Sequence, residues 1–185
     1  GVWAIYPANA TANDILVYTD DSRTEVLETF CTLRQQQVRP GKAQPNSALS
    51  DFIAPVETGL KDHLGLFAVT GGLGEEELAM HYKEKLDDYS ALMVQALGDR
   101  LAEAFAEYLH AQVRQNFGIE KPGDYTLHEM LREKYRGIRP APGYPACPDH
   151  TEKFKMWELL EIERRTGMQI TEAGMVIPGS SVSGL

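Results

Sequence analysis

The chain has 185 residues, about the size of one domain at a typical length of roughly 150 residues. Its 43% hydrophobic content is enough to form a core without disulfides or structural metals. Lysine and arginine number 18 against 27 aspartate and glutamate, so the net charge is -9. A negative surface repels phosphates, which argues against nucleic acid and anionic membranes as partners.

Cysteine content and the chain ends add expectations about location and completeness. Cys31 and Cys147 form no C-x-x-C pair, so neither a zinc ribbon nor a disulfide framework is indicated, and a reducing cytoplasm is the simplest location. The apolar runs are far shorter than the roughly 18 residues that span a bilayer. The chain begins at Gly1 without an initiator methionine and ends on apolar Leu185, so we expect a piece of a longer protein.

The first third of the chain is typical of β-structure. Alternating apolar residues predict a strand that stops at Pro7, a polar loop over residues 8–13 and a second strand over residues 14–19. Residues 24–33 favour a third strand by composition, although their apolar spacing also fits a helix. A loop is predicted over residues 40–50, and a buried strand over residues 63–70.

The middle third has the pattern of a long amphipathic helix. No proline occurs between residues 75 and 117, and large apolar residues recur every four positions. This spacing keeps them on one slowly turning stripe, so we predict a helix over about residues 87–117, roughly 46 Å long, packed along that stripe. Gly118 ends it, and a short helix is predicted over residues 127–135. The stripe consists of Met93, Leu97, Leu101, Phe105, Leu109, Val113 and Phe117.

The same helix carries two candidate polar features. Glu107 and His110 match E-x-x-H, which holds metal in di-iron bundles, but the partner ligands are missing, so a solvated pair is favoured over a helical metal protein. Asp99, Glu103 and Glu107 form a ladder of carboxylates at four-residue spacing. Such a ladder is either a solvated face or an acidic wall facing a cationic ligand or a docking partner.

A proline-stiffened loop over residues 139–150 is the sharpest feature. Arg139 offers a planar fork for a carboxylate, Gly143 allows close approach and Tyr144 offers a stacking face, which would suit an amino-acid-like ligand that carries a ring. A purely structural connector is the alternative. Asp149 and Glu152 then form a capping signature for a helix that ends near residue 166, before Gly167 and a further strand over residues 169–177.

These elements predict an α+β fold, a single domain with a twisted, mainly antiparallel sheet and a long helix packed against it. The loop sequence RPAPGYPACPDHTEK, residues 139–153, closely resembles the signature of the C-terminal activation domain of cobalamin-dependent methionine synthase. Further segments resemble that family in its order, so the resemblance covers essentially the whole chain. These segments are residues 6–9, 33–36, 49–55, 96–107, 166–168 and 181–184.

The resemblance implies an S-adenosylmethionine-binding domain that reactivates its parent enzyme, the 5-methyltetrahydrofolate–homocysteine methyltransferase. Cobalamin that has oxidised to inactive cob(II)alamin regains activity by one electron, from flavodoxin or a methionine synthase reductase, and a methyl group from S-adenosylmethionine. The implied partners are therefore the cobalamin-binding module of the same chain and flavodoxin or that reductase. An acidic module that docks a reductase is the alternative function of the carboxylate ladder. Cobalamin and zinc are expected in other modules, and the family extends beyond both ends of residues 1–185, so this piece would be truncated and not catalytic alone.

The resemblance also assigns residues, none of them a catalytic base or a metal ligand. Arg139 is expected to bind the ligand's carboxylate and Asp51 a polar end such as its amino group. Glu103 corresponds to a carboxylate near the cleft, and Asp99 is expected to contact the cobalamin module. The loop residues expected to line the site are Ala141, Gly143 and Tyr144.

Overall fold

A computed structural model describes residues 1–37 and 46–185. These residues form two compact units, each assembled from segments that are not contiguous in sequence. The first unit comprises Gly1–Ala68, Pro140–Gly179 and Ser183–Leu185, and the second comprises Val69–Arg139 and Ser180–Val182. The predicted loop over residues 40–50 lies outside the described residues up to position 45, and it ends in a short 3₁₀ turn at Leu49–Phe52.

The regular elements agree with the expected mixture of strands and helices. The strands are β1 (Val2–Thr11), β2 (Asp14–Tyr18), β3 (Val26–Cys31), β4 (Asp62–Thr70), β5 (Gln169–Ile170), β6 (Val176–Ile177) and β7 (Ser181–Gly184). The helices are α1 (Glu75–Glu84), α2 (Asp88–Asn116), α3 (Leu127–Met130), α4 (Glu152–Leu159) and α5 (Ile162–Thr166), and a second 3₁₀ turn covers Val56–Thr58. None of the described helices is long and apolar enough to cross a membrane.

The strands form a five-stranded sheet in the order β3-β2-β1-β4-β7 and a separate two-stranded sheet of β5 and β6. β1 pairs antiparallel with both β2 and β4, and β2 pairs antiparallel with β3. The α+β class and the mainly antiparallel sheet are therefore confirmed. The third strand is also confirmed at β3, which rules out the helical alternative for that segment.

The predicted stop at Pro7 is wrong, because β1 continues through it to Thr11. Pro7 pairs with His63 of β4, whereas the pairing of β1 with β2 begins only at Ala8. A sheet tolerates proline where a strand has a neighbour on one side only, because no second ladder then needs its missing N–H. The predicted loop over residues 8–13 shrinks to a tight turn in which Ala12 has a φ of 51°.

The long helix is confirmed at α2, but its packed face is not the predicted one. Leu97 and Leu101 are 57% and 61% exposed, whereas Ala102 and Ala106 are 1% and 0% exposed. The reason is a close approach within the second unit: a Cβ added to Gly71 would lie 2.6 Å from the Gly98 carbonyl oxygen. Only small side chains allow backbones to come this close, so α2 buries small residues here and leaves Leu97 and Leu101 at the surface.

Helices and strands in the last third are shorter than predicted. The helix predicted to end near residue 166 is divided into α4 and α5 at Glu161, which has a left-handed φ of 49°. Gly167, with a φ of 78°, ends α5 as expected. The short helix at α3 ends at Met130, and the final predicted strand is two short strands. The core of the first unit nevertheless draws on both sheet and helices, including Ile15, Val17, Phe30, Leu66, Met156, Ile162 and Met168.

Candidate functional site

The predicted site residues are divided between the two units. Asp51, Ala141, Gly143 and Tyr144 lie in the first unit. Arg139, Glu103 and Asp99 lie in the second unit, together with the whole of α2.

Three side chains bind the guanidinium of Arg139. Nη2 donates to Oε2 of Glu107 at 2.9 Å, and Nη1 donates to the hydroxyl of Tyr135 at 3.2 Å. Nη1 also lies 3.1 Å from Nδ1 of His110. Glu107 and His110 are three residues apart on α2, so the helix presents both on one face. The side chain of Arg139 keeps 18% of its surface exposed.

His110 acts as a neutral hydrogen-bond acceptor in this cluster. A guanidinium can only donate, so Nδ1 must carry the lone pair and Nε2 the proton. Burial lowers the pKa of His110 to about 4, with further lowering by the positive charges of Arg114 and Arg139. The imidazole therefore stays neutral at physiological pH and accepts from Arg139 throughout that range.

Tyr135 connects Arg139 to a second, deeper ion pair. Its ring lies under the guanidinium of Arg114, 3.7 Å from carbon to ring centroid, and meets His110 edge-on at 5.2 Å. Arg114 in turn donates from Nε to Oε2 of Glu120 at 2.7 Å, and both side chains are almost fully buried. The hydroxyl of Tyr135 also donates to Oε2 of Glu107. Burial raises the pKa of Tyr135, so the phenol stays protonated and able to donate.

Sequence reasoning found Glu107 and His110 but gave them the wrong role, and it missed Tyr135. The pair is neither solvated nor a metal half-site, since both side chains are partly buried and bind Arg139. Among the described residues there is no group of three or more His, Cys, Asp or Glu side chains that would hold a metal ion. The E-x-x-H spacing was a usable signal, but nothing in it identified the arginine as the partner.

The other two carboxylates of the ladder on α2 differ in their surroundings. Asp99 is exposed and its Oδ1 accepts a hydrogen bond from Ser180 at 2.9 Å. A Cβ added to the neighbouring Gly98 would lie 2.5 Å from Oε2 of Glu75, a buried oxygen without a hydrogen-bond donor among the described residues. Glu103 is exposed, one turn before Glu107. The ladder is thus one solvated residue between two that have polar partners.

Asp51 already has a structural role in the first unit. Arg34 donates to both of its carboxylate oxygens, at 2.7 and 2.8 Å, and the backbone N–H of Ala48 donates to Oδ2 at 3.0 Å. The hydrogen bonds from Arg34 lower the pKa of Asp51, and they outweigh the opposite effect of its partial burial. Asp51 is exposed, so the carboxylate still faces solvent while it caps its own turn.

The proline-rich loop is held in shape by its own backbone and by His150. The N–H of Gly143 donates to the carbonyl of Cys147 at 2.7 Å, and that of Cys147 to Tyr144 at 2.9 Å. Gly143 has a φ of 95°, and a Cβ there would lie 2.1 Å from Cε1 of His150. The glycine therefore makes room for that imidazole, not only for a ligand as the sequence suggested. Tyr144 is 66% exposed and offers a free ring face.

Two comparisons with known proteins identify the family of this chain. A family model described as "Vitamin B12 dependent methionine synthase, activation domain" matches residues 1–185. A solved structure of the MetH reactivation domain bound to AdoHcy shares 50% sequence identity with this chain, at a TM-score of 0.88. The match covers 98% of this chain and 56% of the other, so the chain spans just over half of that protein's length. The resemblance that the sequence suggested is confirmed, and the chain belongs to the activation-domain family of vitamin B12-dependent methionine synthase.

Proposed function

We propose that this chain supplies part of an S-adenosylmethionine site and that the site serves the reactivation of methionine synthase. The observation that carries the proposal is the guanidinium of Arg139, which three side chains fix without using all its donors. The MetH reactivation domain, 50% identical to this chain, binds AdoHcy, the demethylated form of the same ligand. The ligand class therefore has support from both geometry and similarity.

The charges of the ligand suit the residues available. S-adenosylmethionine carries one carboxylate, one ammonium and one sulfonium, so a single fixed cation and several carboxylates complement it. Arg139 would bind the carboxylate through charge-assisted hydrogen bonds, each contributing about 1.5 to 3 kcal/mol. Glu103, exposed on α2, would favour the positive groups. Asp51 would do the same while it shares its oxygens with Arg34.

The loop residues would contribute shape and stacking. Tyr144, with its exposed ring, would stack on the adenine, and Ala141 and Gly143 would line the loop beside it. Proline fixes φ, so this loop loses little conformational freedom when a ligand binds. A strong nucleophile would attack the methyl carbon, and the carbon–sulfur bond would break to leave neutral S-adenosylhomocysteine. No proton is transferred in that step, so the chain needs no general base. Its contribution is to bind and orient the donor.

The rest of the reaction belongs to other parts of the enzyme. We propose that the nucleophile is cobalamin held by a neighbouring module, that flavodoxin or a methionine synthase reductase supplies the electron, and that zinc is bound elsewhere. This chain alone would not turn over. A cytoplasmic location fits the two cysteines, Cys31 and Cys147, which are both free thiols.

Ligand binding by Arg139 is tested by calorimetric titration of S-adenosylmethionine into the complete methionine synthase that carries this domain. Arg139→Lys keeps the charge but loses the planar fork, so we expect affinity to fall by about tenfold or more. Arg136→Ala, three residues earlier and exposed, is the matched control and should bind as the wild type does. Equal affinity in Arg139→Lys and the wild type would remove Arg139 from the site.

Asp99 is proposed to contact the cobalamin-binding module in the reactivation state. It is exposed and its carboxylate is held by Ser180, so it is oriented before any partner arrives. Asp99→Asn in the complete enzyme should slow reductive remethylation without changing S-adenosylmethionine affinity. An unchanged reactivation rate would contradict this assignment.

A further inference from the structure

We infer that Tyr135, Glu107 and His110 are positioning residues that hold Arg139 in the one orientation able to take the ligand's carboxylate side-on. The inference rests on the proposed function, since it concerns how that site recognises its ligand. None of the three needs to touch the ligand. They act on it through the guanidinium of Arg139.

The hydrogen bonds within the second unit use only some of the donors of Arg139. A guanidinium has five N–H groups in one plane. The hydrogen bonds of Arg139 involve Nη1, with Tyr135 and His110, and one bond from Nη2 to Glu107. Nε–H and the second Nη2–H therefore have no acceptor among the residues that the structure describes. These two groups form one edge of the guanidinium and point the same way, which is the pattern that a carboxylate accepts with both oxygens.

Glu107 positions Arg139 and does not block it. A competing carboxylate would take the two-donor edge, but Glu107 contacts Arg139 with one oxygen only. That same oxygen accepts from the hydroxyl of Tyr135, which is itself bonded to Nη1. Oε2 of Glu107 and the hydroxyl of Tyr135 therefore lie together at the edge formed by Nη1 and Nη2, which leaves the edge formed by Nε and Nη2 for a ligand. The hydrogen bonds with Glu107, Tyr135 and His110 thus hold the guanidinium through Nη1 and Nη2.

Tyr135 is the residue whose substitution tests this positioning role most selectively. The Tyr135 ring is fixed independently of its hydroxyl, by Arg114 on its face at 3.7 Å and by His110 against its edge. Phenylalanine keeps both ring contacts and removes only the hydroxyl. Tyr135→Phe therefore takes away the bonds to Arg139 and Glu107 while the packing around the ring is preserved.

The experiment compares two ligands in the complete methionine synthase that carries this domain. Calorimetric titration would use S-adenosylhomocysteine and its analogue in which hydrogen replaces the carboxylate. Tyr135→Phe should weaken binding of S-adenosylhomocysteine by about tenfold, the worth of one hydrogen bond to a charged group. Binding of the analogue should not change, because Arg139 has no carboxylate to orient against. Tyr108→Phe, on an exposed tyrosine of α2, is the matched control and should leave both affinities as they are.

Two other outcomes for Tyr135→Phe would contradict the positioning role. Equal weakening of both ligands in Tyr135→Phe would show a general structural role, and no weakening of either would show no role, so both overturn the inference. Either result would leave the proposed function standing, provided that Arg139→Lys still loses affinity for the carboxylate ligand alone. A wild-type protein that binds neither ligand, or both equally, would overturn the carboxylate-binding role of Arg139 and the positioning role with it. In the double variant Tyr135→Phe/Arg139→Lys the two losses should not add, because both act on one contact.

Discussion

Replacing Glu120 by alanine would leave the buried guanidinium of Arg114 without its counter-ion. The two side chains are 2% and 6% exposed, and Nε of Arg114 donates to Oε2 of Glu120 at 2.7 Å. Nη1 of Arg114 is buried and has no acceptor among the described residues. The carboxylate of Glu120 is therefore the main compensation for a charge that water cannot reach.

The expected cost follows from that burial. Removing one partner of a buried ion pair destabilises proteins by about 3 to 5 kcal/mol, because the remaining charge stays desolvated. The face of Tyr135 still offers Arg114 a cation–π contact, which offsets only about 0.5 to 2 kcal/mol. A domain of ordinary stability has about 5 to 15 kcal/mol in all. Glu120→Ala should therefore remove a large fraction of the free energy of unfolding.

The assay is urea unfolding of the 185-residue chain, followed by far-ultraviolet circular dichroism. Glu161→Ala is the matched control, because Glu161 pairs with Arg164 and Arg165 at the surface, where such pairs contribute about 0 to 1 kcal/mol. The double variant Arg114→Met/Glu120→Leu replaces the pair by apolar groups and should be more stable than Glu120→Ala. If Glu120→Ala costs no more than Glu161→Ala, the argument from burial fails.

Two further predictions concern the same helix. Lowering the pH from about 6.5 to 4 should destabilise the wild type by up to about 3 kcal/mol more than His110→Asn. In the unfolded state the imidazole of His110 takes up a proton near its ordinary pKa of 6.5, whereas in the folded state burial holds that pKa at about 4. Stability is therefore lost as the pH falls through this window. Thermal unfolding across that range checks it, and parallel curves would contradict it. Ala102→Leu should cost about 1 to 3 kcal/mol by overpacking, whereas Leu101→Ala should change urea stability by less than about 0.5 kcal/mol; the opposite order would restore the large apolar stripe as the packed face.

The fold class and the position of α2 follow from local patterns, but the packed face of α2 does not. Gly98, Ala102 and Ala106 recur every four residues, the same spacing as Leu97, Leu101 and Phe105 one position earlier. Both stripes satisfy the helical period, and hydrophobicity favours the larger one. The structure uses the smaller one, because the close approach at Gly71 leaves no room for a leucine. That constraint comes from a residue on another element, which periodicity within the helix cannot reveal.

The candidate site shows the same division between local and distant information. Arg139 stands out in the sequence because it opens a proline-rich loop, and the E-x-x-H spacing places Glu107 and His110 on one helical face. What fixes their roles is the contact across about 30 residues of chain between that face and Arg139, for which the hydrogen bonds join positions 29 and 32 apart. The sequence favoured a solvated pair and left a metal site as the alternative, because the partner of the two side chains was not evident from it. Arg139 binds Glu107 and His110 by hydrogen bonds, where a metal ion would coordinate them.

In the proposed site, the pairing of Arg139 with Glu107 affects how a carboxylate would be recognised. Because the guanidinium already has an anionic partner at 2.9 Å and His110 is neutral, an arriving carboxylate meets a nearly neutral group of side chains. Net Coulomb attraction then contributes little, and recognition depends on two aligned N–H groups at a fixed edge. Burial alone would lower the pKa of Arg139, but the hydrogen bond with Tyr135 and the charge of Glu107 outweigh it and raise that pKa, so the donors are always protonated. For the proposed carboxylate site, we therefore expect orientation by Tyr135, Glu107 and His110 to matter more than net charge.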